Sequence, residues 1–276
     1  MLPVTVQQKA ELLQFHIYCV MVKKSVISGK IDQIICMDNL CKCTDKFILQ
    51  RKEWVFKMKV LITGTSQGIG KAIAELFLEK GHHVTGIDRQ PSSIEHSKYT
   101  HYQCDVRDKE HLPVIEDVEI LINNAGTQNE EDIDINLKAL IWITEHYGIQ
   151  PNIKSILNIG SASAHTGSEF PEYCASKGGV LAYTKNVAMR VASYGATCNS
   201  MDPGGVLTPL NKCVIEEPEL WAQIMEETPL KKWATVEEIA QWAYFLTVIN
   251  TFCTGQSIVI DGGESIKHNF VWKDES

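Results

Sequence analysis

No apolar run in the chain is long enough to span a bilayer, so a membrane-embedded protein is not expected. Internal repeats and low-complexity tracts are missing too. Positive charge is in deficit: 26 Lys and Arg face 34 Asp and Glu, a formal net charge of -8. A phosphate-rich partner such as DNA is therefore not favoured as the main ligand, though the balance leaves room for a local basic patch. Metal chemistry has no visible ligand set. Nine cysteines are present, an odd number at irregular spacing. Cys41 and Cys43 lie two apart, and no His pair near them completes a zinc pattern. Free thiols in a reducing cytoplasm are the expected state.

Residues 1–57 lack a glycine-rich turn and a clear amphipathic period, yet hold four of the nine cysteines. A signal peptide is not expected, because the start is not basic and no apolar segment precedes a small-residue cleavage site. A small extra domain is one reading, although this length barely supports a core. The other makes Met58 the true start, with Arg51-Lys52-Glu53 translated from a purine-rich ribosome-binding stretch upstream of it. N-terminal sequencing of protein from its native host separates the two.

What is present is an ordinary globular composition, 44% hydrophobic and 22% charged over 276 residues, enough for a substantial core. From Lys59 the pattern becomes strand, glycine turn, helix, strand. Lys59-Val60-Leu61-Ile62 reads as a buried parallel strand. The turn TGTSQGIG follows, with Gly64, Ser66, Gln67, Gly68, Ile69 and Gly70, and Lys71 to Lys80 reads as an amphipathic helix ended by Gly81. Glycines there permit tight geometry and close approach to a pyrophosphate, which would face the unpaired N–H groups of the helix start. Alone the pattern is a weak signal, and a structural turn is the plain alternative.

A second strand, His83 to Ile87, ends at Asp88, 18 residues after Gly70. A carboxylate there suits both ribose hydroxyls of an adenosine and repels a 2′-phosphate, which favours NAD over NADP. Arg89 beside it softens that preference. His82 and His83 read as surface and strand residues. Tyr99 to Gln103 and Glu119 to Ile122 are further strands, the first leading to Cys104-Asp105-Val106 and the second to Asn123-Asn124-Ala125-Gly126. Asp105 suits an adenine amino group or a solvated turn equally. Strands alternating with helices imply one doubly wound, mostly parallel sheet with helices on both faces.

TGTSQGIG, CDV, NNAG, YCASK and PGGVLT occur in that order between residue 58 and about 263. In this the chain resembles the short-chain dehydrogenase/reductase family. The joint match is far more specific than any one motif. It implies a seven-stranded Rossmann-type domain over 58–263, with 264–276 as a partly ordered tail.

Tyr173 and Lys177 are four apart, on one face of a helix. A phenol near pKa 10 is a poor acid/base at neutral pH, and a neighbouring ammonium lowers it. The resemblance makes Tyr173 the general acid/base and lets Lys177 also hold the nicotinamide ribose. It gives Ser161, or its neighbour Ser163, the substrate oxygen. Gly160 stands where the family often has a second serine. Ser161 precedes Tyr173 by 12 residues, one fewer than the family leads one to expect. Asn136 would continue the proton path from Lys177, although only nine residues separate it from Gly126, which implies a more open cleft on that side. Pro203, Gly204, Val206 and Thr208 resemble the turn that holds the nicotinamide carboxamide.

Residues 209–232 are expected to form a lid or a helix packed on the body. Leu220 with Ile224, and Trp221 with Met225, repeat at helical spacing, and arginine is absent. An apolar lid with NAD points first to a hydroxysteroid such as a bile acid. The alternatives are a polyol or sugar dehydrogenase, a 3-oxoacyl thioester reductase and a non-catalytic dinucleotide-binding regulator. Thr235 to Val248 and Ser257 to Ile260 read as the last helix and strand. The resemblance further implies a homo-tetramer or homo-dimer.

Overall fold

The computed structural model describes residues 57–128, 131–168 and 170–267. The expectations for residues 1–56 lie outside the described residues. Seven strands are formed: β1 Lys59–Thr63, β2 His83–Asp88, β3 Tyr99–Gln103, β4 Ile120–Asn123, β5 Ser155–Ile159, β6 Thr197–Pro203 and β7 Ser257–Ile260. All pair in parallel, in the order β3-β2-β1-β4-β5-β6-β7. Strand order therefore reverses between β1 and β4, the place where an open α/β sheet leaves a crevice beyond its strand ends.

The central strands β1, β4 and β5 are short, mostly apolar runs because both sheet faces are covered there. Val60, Ile62, Ile120, Ile122, Leu157 and Ile159 point into one layer. Leu61, Leu121 and Ile156 point into the other. The two-residue period of a strand thus feeds two cores at once. Helix α1 (Gly68–Glu79) brings Ile73 and Phe77 to the first layer, and α7 (Val236–Tyr244) brings Ile239 and Ala243. On the other face lie α2 (133–148), with Ile135 and Ile143, and the long α4 (Pro171–Val191), with Val187 and Val191. Each Leu, Ile or Phe fully buried here contributes about 1.5–3 kcal/mol.

Between the last strands run the short α3 (Ser163–Thr166), α5 (Lys212–Ile215) and α6 (Pro218–Glu227). Helix ends follow local chemistry. Gly81, at φ 88°, ends α1 as expected. Thr235 and Glu238 form a reciprocal capping box at the start of α7. His83 lies in β2 as expected, but His82 is fully buried rather than superficial. Asn136 sits in a π-helical turn, Ile133–Ala139, rather than in regular α-helix. Among the described residues no helix is long and apolar enough to cross a membrane, and no cluster of metal-ligating side chains occurs.

Candidate active site

A cleft of about 430 Å³ opens along the strand ends at the β1–β4 reversal. Its first wall is the turn between β1 and α1. Gly64 and Gly68 have φ of 76° and 57°, which favours glycine. Gly70 is fixed by packing: a Cβ there would meet the Gly64 carbonyl oxygen at 2.0 Å. Gln67 precedes α1 in extended conformation and makes no side-chain cap. The first N–H groups of the helix are thus free of a side-chain acceptor at the cleft wall, which suits an anion. Asn124 supports the turn from β4 by donating to the carbonyls of Thr63 and Gly64, both at 3.0 Å.

Asp88 closes the next wall. Its Oδ2 accepts from Ser66 N and its Oδ1 from Gln90 N, each at 2.9 Å. These bonds fix the carboxylate at the cleft while leaving acceptor capacity for ribose hydroxyls. Beneath it Thr65, Tyr99, His101 and the Gln90 carbonyl form a hydrogen-bonded chain. Asp105 also lines the cleft, and the Arg107 guanidinium grips both its oxygens and holds its carboxyl below the usual range. Val106 lies beside it, buried.

The reacting side chains converge from three elements. β5 carries the chain to Ser161, whose hydroxyl donates to Ser163 Oγ at 3.1 Å and accepts from Ser163 N at 3.2 Å. Both serines line the cleft. Tyr173 and Lys177 lie one turn apart on α4, and the ammonium is 5.7 Å from the phenol ring centroid. Lys177 Nζ donates to the Ile159 carbonyl at 2.8 Å. Burial pulls its pKa down to about 8, against the fields of Asp202 and Asp132, which raise it.

Asn136 is fully buried behind this group. Its Oδ1 accepts from Thr127 N at 2.8 Å, and its Nδ2 donates to the Thr127 carbonyl, Asp132 and Ser176. A Cβ built on Gly126 would lie 3.0 Å from Asn136 Oδ1 and 3.6 Å from Lys177 Nζ. Those two side chains therefore flank one glycine. The remaining wall is the turn after β6. Ala162 N donates to the Pro203 carbonyl at 2.9 Å, and Thr208 reaches across to Gly68.

Nearly every residue expected from the sequence lines this one cleft, including Ile69, Asp88, Arg89, Ala125, Gly204 and Val206. Ser66, Gly70 and Asn136 do not; they shape it from behind. Asn211, within the expected lid, and Trp233, just beyond it, also line the cleft, as do Glu264 and Ser265, to which sequence reasoning gave no role. Trp233 packs edge-on against Trp221 and directly over Gly205. Glu264 and Ser265 stood in the expected tail; only their nearness to the DGG turn of 261–263 hinted at the site.

A glycine-turn crevice at a parallel-sheet reversal, with a buried Lys beside a Tyr, defines a Rossmann-type nicotinamide oxidoreductase. The comparisons place it more closely. The family model for enoyl-(acyl carrier protein) reductase matches residues 64–265. An NAD-dependent glycerol dehydrogenase of Listeria innocua is 31% identical over 243 residues, covering 75% of this chain and 93% of that one. A 3-oxoacyl-[acyl-carrier-protein] reductase of Rickettsia conorii is 32% identical over 235 residues, covering 74% and 95%. The aldohexose dehydrogenase structure of Thermoplasma acidophilum superposes with a TM-score of 0.69 at 26% identity, over 79% of this chain and 98% of that one. This chain belongs to the short-chain dehydrogenase/reductase family and is an NAD(P)-dependent oxidoreductase acting on CH–OH groups.

Proposed function

We propose that the chain interconverts a secondary alcohol and a ketone on a small polyhydroxylated substrate, with NAD as cofactor. The observation that carries this reading is Lys177: a buried ammonium held by the Ile159 carbonyl beside the Tyr173 ring. The glycine turn, the uncapped α1 start and the fixed Asp88 carboxylate fit a dinucleotide without a 2′-phosphate. Gly64, Ser66, Gln67, Gly68, Ile69 and Gly70 would cradle the pyrophosphate, with Asp105 and Val106 at the adenine. Asn124, Ala125 and Gly126 would back the cofactor, and Pro203, Gly204, Val206 and Thr208 would hold the carboxamide.

When bound, the nicotinamide supplies the hydride acceptor for alcohol oxidation. Tyr173, as the phenolate that the Lys177 ammonium favours, takes the hydroxyl proton. Ser161 donates to the oxygen that becomes the carbonyl. Asn136 holds the backbone of Thr127, next to the Gly126 that it and Lys177 flank, on the proton path. Retention of both Tyr173 and Lys177 speaks against a non-catalytic regulator.

A hydroxysteroid, the first expectation, draws no support from the relatives. In the lid helix α6 no side chain is fully buried, and Trp221, Ile224 and Met225 are half-buried. The lining of the cleft instead includes Ser161, Ser163, Thr166, Ser168, Asn211 and Trp233 as well as Tyr173. Hydroxyl donors and aromatic side chains in one lining suit a sugar or polyol. Cofactors differ among neighbours: a 4-hydroxyisoleucine dehydrogenase at 26% identity is complexed with NADH, and a putative 2-deoxy-D-gluconate 3-dehydrogenase of Agrobacterium tumefaciens, also at 26%, with NADP. The free cysteines among the described residues fit a reducing, cytoplasmic setting. Assembly as a homo-dimer or homo-tetramer completes the reading.

Purified protein assayed with NAD against polyols, aldohexoses and hydroxysteroids, and with NADH against 3-oxoacyl thioesters, is expected to turn over a polyol or sugar. Turnover confined to steroids or thioesters sinks the substrate class. Tyr173→Phe is expected to abolish turnover and leave NADH binding within about twofold; an active variant refutes the acid/base assignment.

A further inference from the structure

Asp202, next to last in β6, is wholly buried and lies outside the mechanism described above. A carboxylate taken out of water is costly unless its oxygens are bonded. Both are. His165 Nε2 lies 2.6 Å from Oδ2, and Ser200 Oγ donates to Oδ1. An ionised carboxylate only accepts, so the imidazole is the donor. Room comes from Gly160, where a Cβ would stand 2.0 Å from Oδ1. Gly160 just past β5, Ser200 on β6 and His165 on α3 are thus fitted around one carboxylate. Burial raises the Asp202 carboxyl above the usual range, and the bonds from Ser200 and His165 with the field of Lys177 offset only part of that rise.

The pair spans a seam that the reaction needs in register. His165 belongs to α3, directly after the Ser161–Ser163 turn. Asp202 directly precedes the Pro203-Gly204 turn. Two backbone bonds already cross this seam, from Gly160 N to the Met201 carbonyl and from Ala162 N to the Pro203 carbonyl. The His165–Asp202 bond adds a charged side-chain tie beside them. Facing Asp202 are His165 from α3, Lys177 from α4 and Ser200 from its own strand. Facing Lys177 are Tyr173 on its own helix, Asp202 from β6 and Asp132 at the start of α2. Neither Asp202 nor His165 lines the cleft.

We propose that Asp202 and His165 are positioning residues, a buried carboxylate–imidazole tie that holds the Ser161 turn against the nicotinamide turn and gives the Lys177 ammonium a fixed counter-charge. This rests on the reading of Tyr173 and Lys177 as the acid/base pair. Removing a negative charge makes proton loss easier at every neighbouring group. Asp202→Asn keeps the shape and removes the charge.

The test titrates phenolate absorbance of the full-length protein, with Tyr173→Phe as the blank that isolates Tyr173. In Asp202→Asn the Tyr173 ionisation is expected to fall by roughly one pH unit. With glycerol and NAD as probes, kcat is expected to drop about tenfold while NADH binding, read by fluorescence, stays within about twofold. His165→Gln is expected to lose a similar factor, and the double variant no more than the worse single one, because the pair acts as a unit. An unmoved titration, an unchanged kcat or additive losses overturns the inference. Should Asp202→Asn not fold, Gly160→Ala with Asp202→Ala refills the space from the opposite strand and removes the same charge. If glycerol is not turned over, the titration alone decides. An active Tyr173→Phe condemns the acid/base reading instead, and leaves a moved titration to speak for the electrostatic tie alone.

Discussion

Lys177 carries two opposed demands at one side chain. In the proposed mechanism its ammonium serves the chemistry, while its burial works against the fold. In the unfolded chain it titrates near 10.5; folded, burial brings this to about 8. The unfolded state therefore binds more protons between those values, and stability rises with pH across that window. Below about pH 8 the whole cost is present, on the order of 3 kcal/mol. Lys177→Met is expected to abolish turnover and raise the thermal midpoint by several degrees at pH 7, with the gain shrinking by pH 9.5. Calorimetry at the two pH values checks it; a midpoint below the parent at pH 7 sinks the argument. Asp88 makes the opposite kind of prediction, one of selectivity. Replacing it by Ser frees the N–H groups of Ser66 and Gln90, which then face a 2′-phosphate as donors. The ratio of kcat/KM for NADP over NAD is expected to rise roughly tenfold or more, about 1.4 kcal/mol, and steady-state kinetics with an unmoved ratio would reject Asp88 as the selector. The placement of single residues was legible where spacing is local: Tyr173 and Lys177 one helical turn apart, Asp88 at the end of a strand. The Asp202–His165 tie was not, because its partners are 37 residues apart and meet only once β5 and β6 are paired.

At the scale of elements, strand and helix starts followed from apolar period and turn chemistry, but the interruptions inside helices did not. Two π-helical turns, Thr144–Gly148 and Phe245–Ile249, each contain a threonine whose hydroxyl takes the carbonyl four residues back, Thr144 to Leu140 and Thr247 to Ala243. Such bonds compete with the helical ladder while leaving the apolar pattern intact, so the sequence shows one unbroken helix. The joint between α1, β2 and α7 hides a second titratable group. His82 lies between the rings of Phe77 and Tyr244, and its Nδ1 accepts from Met58 N at 3.1 Å. Desolvation by burial lowers its pKa below 6.5, against a raising field from Glu119. Here the unfolded chain takes up the proton first as pH falls, so stability is present above 6.5 and is lost progressively below it. Denaturant midpoints measured between pH 7.5 and 5 are expected to fall more steeply in the parent than in His82→Phe, which keeps the ring packing and cannot titrate. Parallel slopes would show that His82 carries no part of the acid sensitivity.

The molecule as a whole presents an apolar face that its own described core does not use. Trp242, Phe245, Ile249 and Phe252 are 42%, 45%, 59% and 95% exposed. Their spacing of three, four and three residues sets the first three along one side of α7 and its π-helical continuation. Large aromatic side chains left together in water are costly, and a contiguous apolar patch of this kind marks a protein contact. A second copy is the partner that needs nothing beyond this chain, since a two-fold contact sets the same patch against itself. Light scattering on the purified protein is therefore expected to give an even multiple of the 31.0 kDa chain mass. Phe245→Asp with Trp242→Asp is expected to yield monomer, because each charge would be desolvated across the contact from its own copy. A parent that is monomeric, or a double variant that stays assembled, removes this face as the contact. The outcome also bears on the site. Strand β7 leads from this end of the molecule to Asp261, which packs on Gly204, and to Glu264 and Ser265 in the cleft wall. An assembly contact that stiffens this segment is expected to lower KM for the alcohol; because β7 pairs with β6 and sets Val259 opposite Asp202, a route to the pH dependence of kcat also exists. Comparing kcat and KM between assembled parent and dissociated variant separates the two effects. A shift in the pH profile of kcat on dissociation would mean that the contact reaches the proton-handling residues themselves.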